Sequence, residues 1–199
     1  MEEKMKKLFI DLGGHHGESL KHFSKILECP NNWDAISIEA SPLNYKELQK
    51  KANQIKNVFN NIETINAFAY INDSEIDFYE YIDPPHHVGS TFSKYKVEFN
   101  SKKKPAYRNL RYNLIKVPSY NIIDVYKRSL NAYDKILIKM DVEGAEYDIF
   151  PELVKILDPD KTPVIYCEFH NKKVNISRDV DKKIIKDLKR KDVRLLMWK

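Results

Sequence analysis

Three acidic residues lie close together in the stretch from Lys139 to Glu146, which reads Lys-Met-Asp-Val-Glu-Gly-Ala-Glu. Its three carboxylates repel one another, and partial burial raises the pKa of at least one of them unless a cation lies nearby. Glu146 falls in the first turn of a predicted helix, where acidic residues are favoured in any case. Asp141 and Glu143 have no such explanation, so both are candidates for proton transfer.

A second polar group, Glu168 to Asn171, follows the next predicted strand and contains His170. Histidine titrates near neutral pH, so His170 is a further candidate for a general base, although a lone histidine is more often a structural hydrogen-bonding residue. Together with Asp141, this group could instead hold a metal ion. The histidine pairs 15–16 and 86–87 argue little for a metal, because neighbouring side chains point in different directions. We assign no metal site from the sequence.

A glycine-rich turn follows the first predicted strand and spans Asp11 to Gly17, with the spacing D-x-G-x-x-x-G. Glycines let backbone N–H groups approach a ligand at the N-terminus of the next helix. The spacing differs from G-x-G-x-x-G, which binds dinucleotides. It suits a turn around the polar tail of a nucleoside ligand, with Asp11 close to a positive group, and it also suits a turn that only reverses the chain.

Two residues at the ends of the second and third predicted strands suit the rest of a nucleoside. Glu39 follows Gly13 by 26 residues, and its two carboxylate oxygens can accept hydrogen bonds from both ribose hydroxyls. An acidic residue near a helix N-terminus is the simpler explanation, but the register with the glycine turn favours ribose. Asn66 could contact the polar edge of an adenine, or it could be an ordinary strand-end asparagine.

These candidates all stand near the ends of predicted strands, in a chain that alternates strands with helices. Apolar runs predict strands over 8–12, 35–39, 62–69, 76–81, 135–142, 164–169 and 193–198. Amphipathic segments predict helices that begin at Gly17 and at Ser41–Pro42, and further helices over 122–130, 145–157 and 179–191. Residues 83–116 are predicted to be irregular. The alternation predicts an α/β fold with a doubly wound, mostly parallel sheet, whose ligands lie beyond the carboxyl ends of the strands.

Length and composition favour a single domain over residues 1–199. The chain is 42 % hydrophobic and 32 % charged, and no apolar run approaches the roughly 20 residues that a membrane span needs. The N-terminus shows no signal-peptide pattern, and Cys29 and Cys167 form no metal or disulfide pattern. We therefore expect a cytoplasmic protein. The net charge of +5 is mild evidence for an anionic partner.

With these residues identified, the chain resembles the FkbM-type methyltransferases over residues 8–171. Asp11 to Gly17 is similar to the family's D-x-G-A-N-x-G turn, and Ile38 to Pro42 is similar to its E-x-x-P strand. Lys139 to Glu146 is similar to the family's more specific K-x-D-V-E-G-x-E signature. Weaker likenesses cover 66–69, 89–92, 117–118 and 123–124. Gly14–His15 stands where the family usually has Ala-Asn, which leaves the contacts to the polar tail of the cofactor open.

The resemblance implies a Rossmann-like class I methyltransferase domain that uses S-adenosylmethionine (SAM). The acceptor it implies is a hydroxyl of a sugar, glycan, nucleotide sugar or similar small molecule. It also implies that SAM is held by the glycine turn and the later strand ends, through Asp11, Gly13, Gly14, His15, Gly17, Glu39, Asn66, Ala67 and Asp141. Asp141 and Glu143 rank before His170 as the general base, because the recognisable motif carries them.

Other functions remain open on the same fold. An RNA methyltransferase would use lysines interleaved with Tyr95, Tyr107 and Tyr112, but the small charge excess and the lack of an N-P-P-Y-type motif disfavour nucleic acid. A metal-assisted O-methyltransferase and a SAM-binding module without turnover are further alternatives. The glycine spacing disfavours a nicotinamide oxidoreductase. A basic segment suits either a phosphate-bearing acceptor or a solvated loop, and its residues are Lys102, Lys103, Lys104, Arg108 and Arg111.

Overall fold

Two β-sheets, six α-helices and one short 3-10 helix (Pro30–Asn32) form the described part of the chain. The computed structural model describes residues 5–82, 90–103 and 111–198, with 99–103 as backbone only. The strands are β1 (Lys7–Leu12), β2 (Trp33–Glu39), β3 (Asn61–Asn66), β4 (Phe68–Tyr70), β5 (Glu75–Tyr81), β6 (Tyr112–Asn121), β7 (Lys135–Met140), β8 (Val164–Cys167) and β9 (Arg194–Met197). The helices are α1 (Glu18–Ile26), α2 (Pro42–Gln54), α3 (Lys94–Lys103), α4 (Ile122–Ala132), α5 (Glu146–Ile156) and α6 (Arg178–Arg190).

The larger sheet has the strand order β3-β2-β1-β7-β8-β9, and every neighbouring pair is parallel. The predicted doubly wound α/β sheet is therefore confirmed. The strand order changes direction between β1 and β7, which pair from Lys7 opposite Lys135 to Leu12 opposite Met140. At such a point the helices diverge to opposite faces and leave a crevice for a ligand at the carboxyl ends of the strands.

The central strands are apolar on both faces because helices cover both sides of the larger sheet. Leu8 and Ile10 of β1 pack in one core with residues of α4, α5 and α6. Phe9, between them in sequence, points to the opposite face and packs in a second core with Leu20 and Phe23 of α1. This two-sided burial explains why β1 reads as a continuous apolar run rather than an alternating one.

The local signals for helix starts act as predicted. Ser41 Oγ accepts a hydrogen bond from Asn44 N–H at 3.2 Å, and Pro42 occupies the first turn of α2. Gly17 precedes α1 in the left-handed conformation, with φ +83°. The helices predicted over 122–130, 145–157 and 179–191 are present as α4, α5 and α6, with ends that differ by at most two residues.

The prediction of one strand over 62–69 is wrong, because the chain changes sheets at Ala67. β3 lies beside β2 in the larger sheet, where Asn66 pairs with Glu39. β4 instead pairs in parallel with β6, and β6 pairs antiparallel with β5 to complete the smaller sheet. The N–H of Ala67 still donates to the carbonyl of Glu39 at 3.1 Å, so the break lies next to the end of β2.

The prediction of irregular structure over 83–116 is wrong where that segment is described, because α3 lies within it and β6 begins there. The apolar signal of β6 is weak, since its Leu114 is 59 % exposed. Several residues named in the sequence analysis fall outside the described residues, namely His86, His87, Gly89, Lys104, Tyr107 and Arg108. The side chains of Lys102 and Lys103 do so as well. None of the described helices has the length and apolar character of a membrane span.

Candidate active site

A cavity of about 390 Å³ lies at the carboxyl ends of β1, β2 and β7. The acidic residues that line it are Glu18, Glu39, Asp141, Glu143 and Glu168, and its cationic side chains are Lys139 and Lys173. Ala67, Phe68 and Phe78 supply an apolar wall where the chain passes from the larger sheet to the smaller one. The cavity therefore combines an apolar side, an acidic side and a position at the switch point of the sheet.

The glycine turn after β1 ties three strands together. The N–H groups of Gly13 and Gly14 both donate to the carbonyl of Ile38, at 3.0 and 2.9 Å. Gly13 has φ +80°, and a Cβ atom there would lie 1.9 Å from the carbonyl oxygen of Asp141. Only glycine fits at this position, since it tolerates the positive φ and lets the turn approach the end of β7 so closely. His15, within the same turn, also lines the cavity.

Glu39, at the end of β2, is buried but faces the cavity. One carboxylate oxygen accepts the N–H of His15 at 2.8 Å, and the other accepts the N–H of Ser41 at 2.8 Å. Burial raises the pKa of Glu39, while these two hydrogen bonds act in the opposite direction. Each carboxylate oxygen has a second acceptor position, so the group can also receive two hydroxyl donors from a ligand.

Asn66 does not line the cavity. Its side-chain amide donates to the carbonyl oxygens of Glu39 and Ala40, at 2.8 and 3.2 Å. These hydrogen bonds hold the end of β2 in place, next to Ala67 in the cavity wall. The Asn66 amide therefore supports Glu39 and Ala40 from behind the cavity wall, which the sequence pattern at the end of β3 does not reveal.

Asp11 is fully buried behind the cavity wall. Its Oδ2 accepts the hydroxyls of Ser19 and Ser37, at 2.5 and 2.7 Å. The positive group beside it is Lys139, whose Nζ lies 3.3 Å from Asp11 Oδ1 and donates to the carbonyl of Gly13 at 2.5 Å. Asp11 therefore pairs with a lysine of the protein itself and does not line the cavity.

Lys139 is a residue of the site for which the sequence motif predicts no role. It is buried, yet it lines the cavity, and its Nζ lies 4.0 Å from Asp141 Oδ2. Burial lowers the pKa of Lys139, but Asp11 and Asp141 outweigh that effect and raise it overall. The signal in the sequence was the lysine two residues before Asp141, which places both side chains on the same side of the strand end.

Asp141 and Glu143, after β7, have opposite electrostatic surroundings. Burial raises the pKa of Asp141, even though Lys139 acts to lower it. Burial acts in the same direction on Glu143, but Lys96, His170 and Lys173 outweigh it and lower the pKa of that group to about 2. Lys96, a buried residue of α3, donates a hydrogen bond to Glu143.

His170 is buried next to these acids but does not line the cavity. Its Nδ1 lies 3.0 Å from Oε1 of the fully buried Glu146, and the same oxygen accepts the N–H of His170 at 2.8 Å. Burial lowers the pKa of His170, but Glu143 and Glu146 outweigh that effect and raise it overall. Glu146, the first residue of α5, therefore holds the His170 ring in place.

The family of the chain follows from comparison with known proteins. The family model of the methyltransferase FkbM domain matches residues 11–194. The chain belongs to this family. A methyltransferase FkbM of known crystal structure, from Methylobacillus flagellatus, is 17 % identical to it, with a TM-score of 0.46. That match covers 75 % of this chain and 29 % of the other protein, so the chain spans less than a third of its length. No curated protein matches the chain.

The FkbM domain brings most of the residues implied by the resemblance to one cavity. Those that line it are Gly13, Gly14, His15, Glu39, Ala67, Asp141 and Glu143. The others, Asp11, Gly17, Asn66 and His170, lie behind the wall or next to it. Lys96 and Lys173, for which the sequence predicts no role, both lie next to Glu143 and balance part of the negative charge at the acidic end of the site. No local pattern marks Lys96, since it lies in the segment predicted to be irregular.

Proposed function

We propose that this FkbM domain is a SAM-dependent O-methyltransferase that modifies a hydroxyl of a sugar, glycan or nucleotide-sugar type acceptor. The observation that carries the proposal is the shared cavity of Glu39 and Asp141, on the two sides of the switch point between β1 and β7. A ribose-binding carboxylate thus stands opposite a carboxylate with a raised pKa. Family membership supports methyl transfer in general terms.

The residues of the cavity fit SAM in chemistry. Glu39 has free acceptor positions for the ribose hydroxyls, and the apolar wall with Phe68 and Phe78 suits an adenine ring. The glycine turn and His15 would enclose the polar tail. Five acidic residues against two lysines give the lining an excess of negative charge, which suits a sulfonium cation.

SAM, when bound, supplies an electrophilic methyl group to a nucleophilic oxygen. The main task of the protein is then to hold the acceptor hydroxyl in line with that methyl group, about 3 Å from it. The acceptor also needs a group that takes its proton. Asp141 lines the cavity, and burial raises the pKa of its carboxylate. It is therefore a stronger base than an ordinary aspartate and our candidate for this role.

The other two predicted bases suit proton removal less well. Glu143, with a pKa of about 2, binds a proton only weakly, and its charge is balanced by Lys96. His170 does not line the cavity, and its Nδ1 already interacts with Oε1 of the buried Glu146 at 3.0 Å. We propose that both position Asp141 and stabilise the acidic end of the site.

The position of Lys173 indicates which kind of acceptor the cavity could take. Lys173 lines the cavity and is about two-fifths exposed, so a phosphate on the acceptor could pair with it. This supports a nucleotide sugar or another phosphate-bearing small molecule.

The two cysteines are free thiols, with Cys29 exposed and Cys167 buried. Free thiols suit the reducing cytoplasm, which we propose as the location.

The decisive experiment is transfer of a labelled methyl group. The protein is incubated with methyl-labelled SAM and a panel of glycans, sugars and nucleotide sugars, and the products are analysed by mass spectrometry. We expect a mass increase of one methyl group on a hydroxyl of at least one acceptor, and none without the protein. SAM binding without any labelled acceptor would make the domain a binding module, and absence of SAM binding would refute the proposal altogether.

A further inference from the structure

An unsatisfied buried nitrogen points into the acidic end of the cavity. The side chain of His170 is about 1 % exposed, and its Nε2 has no hydrogen-bond partner among the described residues. Three carboxylate oxygens surround this nitrogen, from Glu143 at 3.1 Å, Glu168 at 3.5 Å and Asp141 at 3.6 Å. They lie close enough for a strong interaction, yet none accepts a hydrogen bond in acceptable geometry. A buried imidazole nitrogen of this kind needs another partner.

The distances among these donor atoms match those around a small metal ion. Two ligands bound at about 2.1 Å to one ion are about 3.0 Å apart at neighbouring positions of an octahedron and about 3.4 Å apart in a tetrahedron. His170 Nε2 lies 3.5 Å from Glu168 Oε1 and 3.6 Å from Asp141 Oδ1. One ligand atom from each of the three residues lies within 4.8 Å of the other two. Glu143 differs from them, since its carboxylate already pairs with Lys96.

The second ring nitrogen of His170 is arranged as in known metal sites. A histidine that ligates a metal through one nitrogen usually donates its other N–H to a carboxylate, which fixes the tautomer and the ring orientation. His170 Nδ1 lies 3.0 Å from Glu146 Oε1, and Glu146 is fully buried. Glu146 is itself held by the N–H of Gly144 at 2.8 Å. The imidazole is therefore oriented with Nε2 directed at the carboxylates of Asp141, Glu143 and Glu168.

We propose that Asp141, Glu168 and His170 form a binding site for a divalent cation. Two carboxylate oxygens and one imidazole nitrogen suit a divalent ion of a first-row transition metal. Mn²⁺ is the first candidate, because oxygen ligands predominate. Asp141 and Glu168 line the cavity, so an ion can enter from it. The role of the ion rests on the proposed function. A coordination position on the cavity side would take the hydroxyl oxygen of the acceptor, orient it and lower its pKa.

Lys173 is the internal competitor for this site. Its Nζ lies 3.7 Å from Glu168 Oε1 and 3.9 Å from Glu143 Oε2, and its side chain is about two-fifths exposed. A long and partly exposed lysine can move aside with little loss, because ion pairs at exposed positions contribute little to stability. Replacing Lys173 with Met should therefore strengthen Mn²⁺ binding rather than weaken it.

To test this proposal, the metal-free protein is titrated with Mn²⁺. Binding is measured as the loss of the electron paramagnetic resonance signal of the free ion. We expect one Mn²⁺ per chain, and at least tenfold weaker binding in Glu168→Gln and in Asp141→Asn. A second described cluster of possible ligands, His15, His16 and Glu18, supplies the matched control. Glu18→Gln should leave the dissociation constant for Mn²⁺ within about twofold of that of the unmodified protein.

Several outcomes would overturn the proposal. These are no bound Mn²⁺ at millimolar concentration, binding that Glu168→Gln and Asp141→Asn leave unchanged, or binding that Glu18→Gln abolishes. Calorimetric titration with SAM in the presence of a chelator separates this result from the proposed function. If SAM does not bind, the methyltransferase proposal fails, while the Mn²⁺ titration still decides the metal site.

Discussion

The carboxylates of the cavity differ in how burial and nearby cations act on them. Glu39 and Asp141 both have a raised pKa, because burial disfavours their charged forms. Glu143 is just as close to the site, but Lys96 and His170 lower its pKa to about 2. Residues of one chemical type can therefore serve as ligand acceptor, as base and as structural anion within a single cavity.

At the residue scale, Glu39→Gln should weaken SAM binding by about 1–3 kcal/mol, the range for losing hydrogen bonds to a charged group. The amide keeps the size of the side chain but supplies only one acceptor oxygen. Isothermal titration calorimetry measures the effect, with Glu63→Gln on the exposed side of β3 as the control. Unchanged affinity in Glu39→Gln would remove Glu39 from the ribose site.

Asp141→Asn should slow methyl transfer by about 10²–10⁴-fold, the usual contribution of a positioned base. Its effect on the dissociation constant of SAM should be much smaller. Steady-state rates and calorimetry on the same variant separate the two quantities, and Asp192→Asn, at an exposed position after α6, is the control. Turnover at the normal rate would remove Asp141 from the catalytic residues.

At the scale of the elements, α3 joins the segment around the smaller sheet to the active site through one buried ion pair. Lys96 is the buried residue of this pair, whereas Lys94, two positions earlier in the same helix, is exposed. Lys96→Met leaves Glu143 without its main partner and should destabilise the fold by about 3 kcal/mol or more. Lys94→Met should change the free energy of unfolding little. Urea denaturation of both variants compares them, and equal stabilities would contradict the role of the pair.

Glu18, in the first turn of α1, should make a contribution to the stability of the fold that depends on pH. Burial raises the pKa of Glu18, but hydrogen bonds, above all from His15, outweigh it and lower the value to about 2. Since the folded pKa lies below the unfolded value of 4.5, Glu18 stabilises the fold above that value and loses the effect as pH falls towards 2. Its side chain is about 62 % exposed, so solvent screening keeps the contribution below about 1 kcal/mol.

Glu18→Gln should therefore be less stable than the unmodified protein by about 0.5–1 kcal/mol near pH 5, and the difference should shrink as the pH falls towards 3. Urea denaturation at a series of pH values gives both free energies. A difference that grows on acidification would contradict the assignment.

At the scale of the whole molecule, the proposed SAM site lies where several strand ends meet, so SAM should stabilise the folded chain. At a hundred times its dissociation constant, a ligand that binds the folded state alone adds about 2.7 kcal/mol. For a chain of this length, that corresponds to a rise in Tm of roughly 5–10 °C. Thermal unfolding with SAM, and with NAD as the control, measures it. An equal response to both, or no response to SAM, would contradict a SAM-specific cavity.

Much of the large sheet could be read from local patterns. The apolar run after Lys7 predicts a strand because it is buried on both faces, and Ser41–Pro42 predicts the start of α2 because capping is local. The switch of sheets at Ala67 could not be read, since the apolar pattern continues through it and the partner strand β6 lies far along the chain. The buried lysine of α3 was missed for a similar reason, because only its distant partner Glu143 explains its burial.

The order of residues along the chain was enough to predict that the glycine turn, Glu39 and the acidic stretch after β7 lie next to one another, because parallel strands bring their carboxyl ends to one edge. Only the folded structure decides which of these groups faces the cavity and which charge each one holds. Burial and the positions of Lys96, Lys139 and His170 set those properties. These interactions join residues far apart in the chain, and electrostatic energies depend on distance and solvent exposure rather than on sequence spacing.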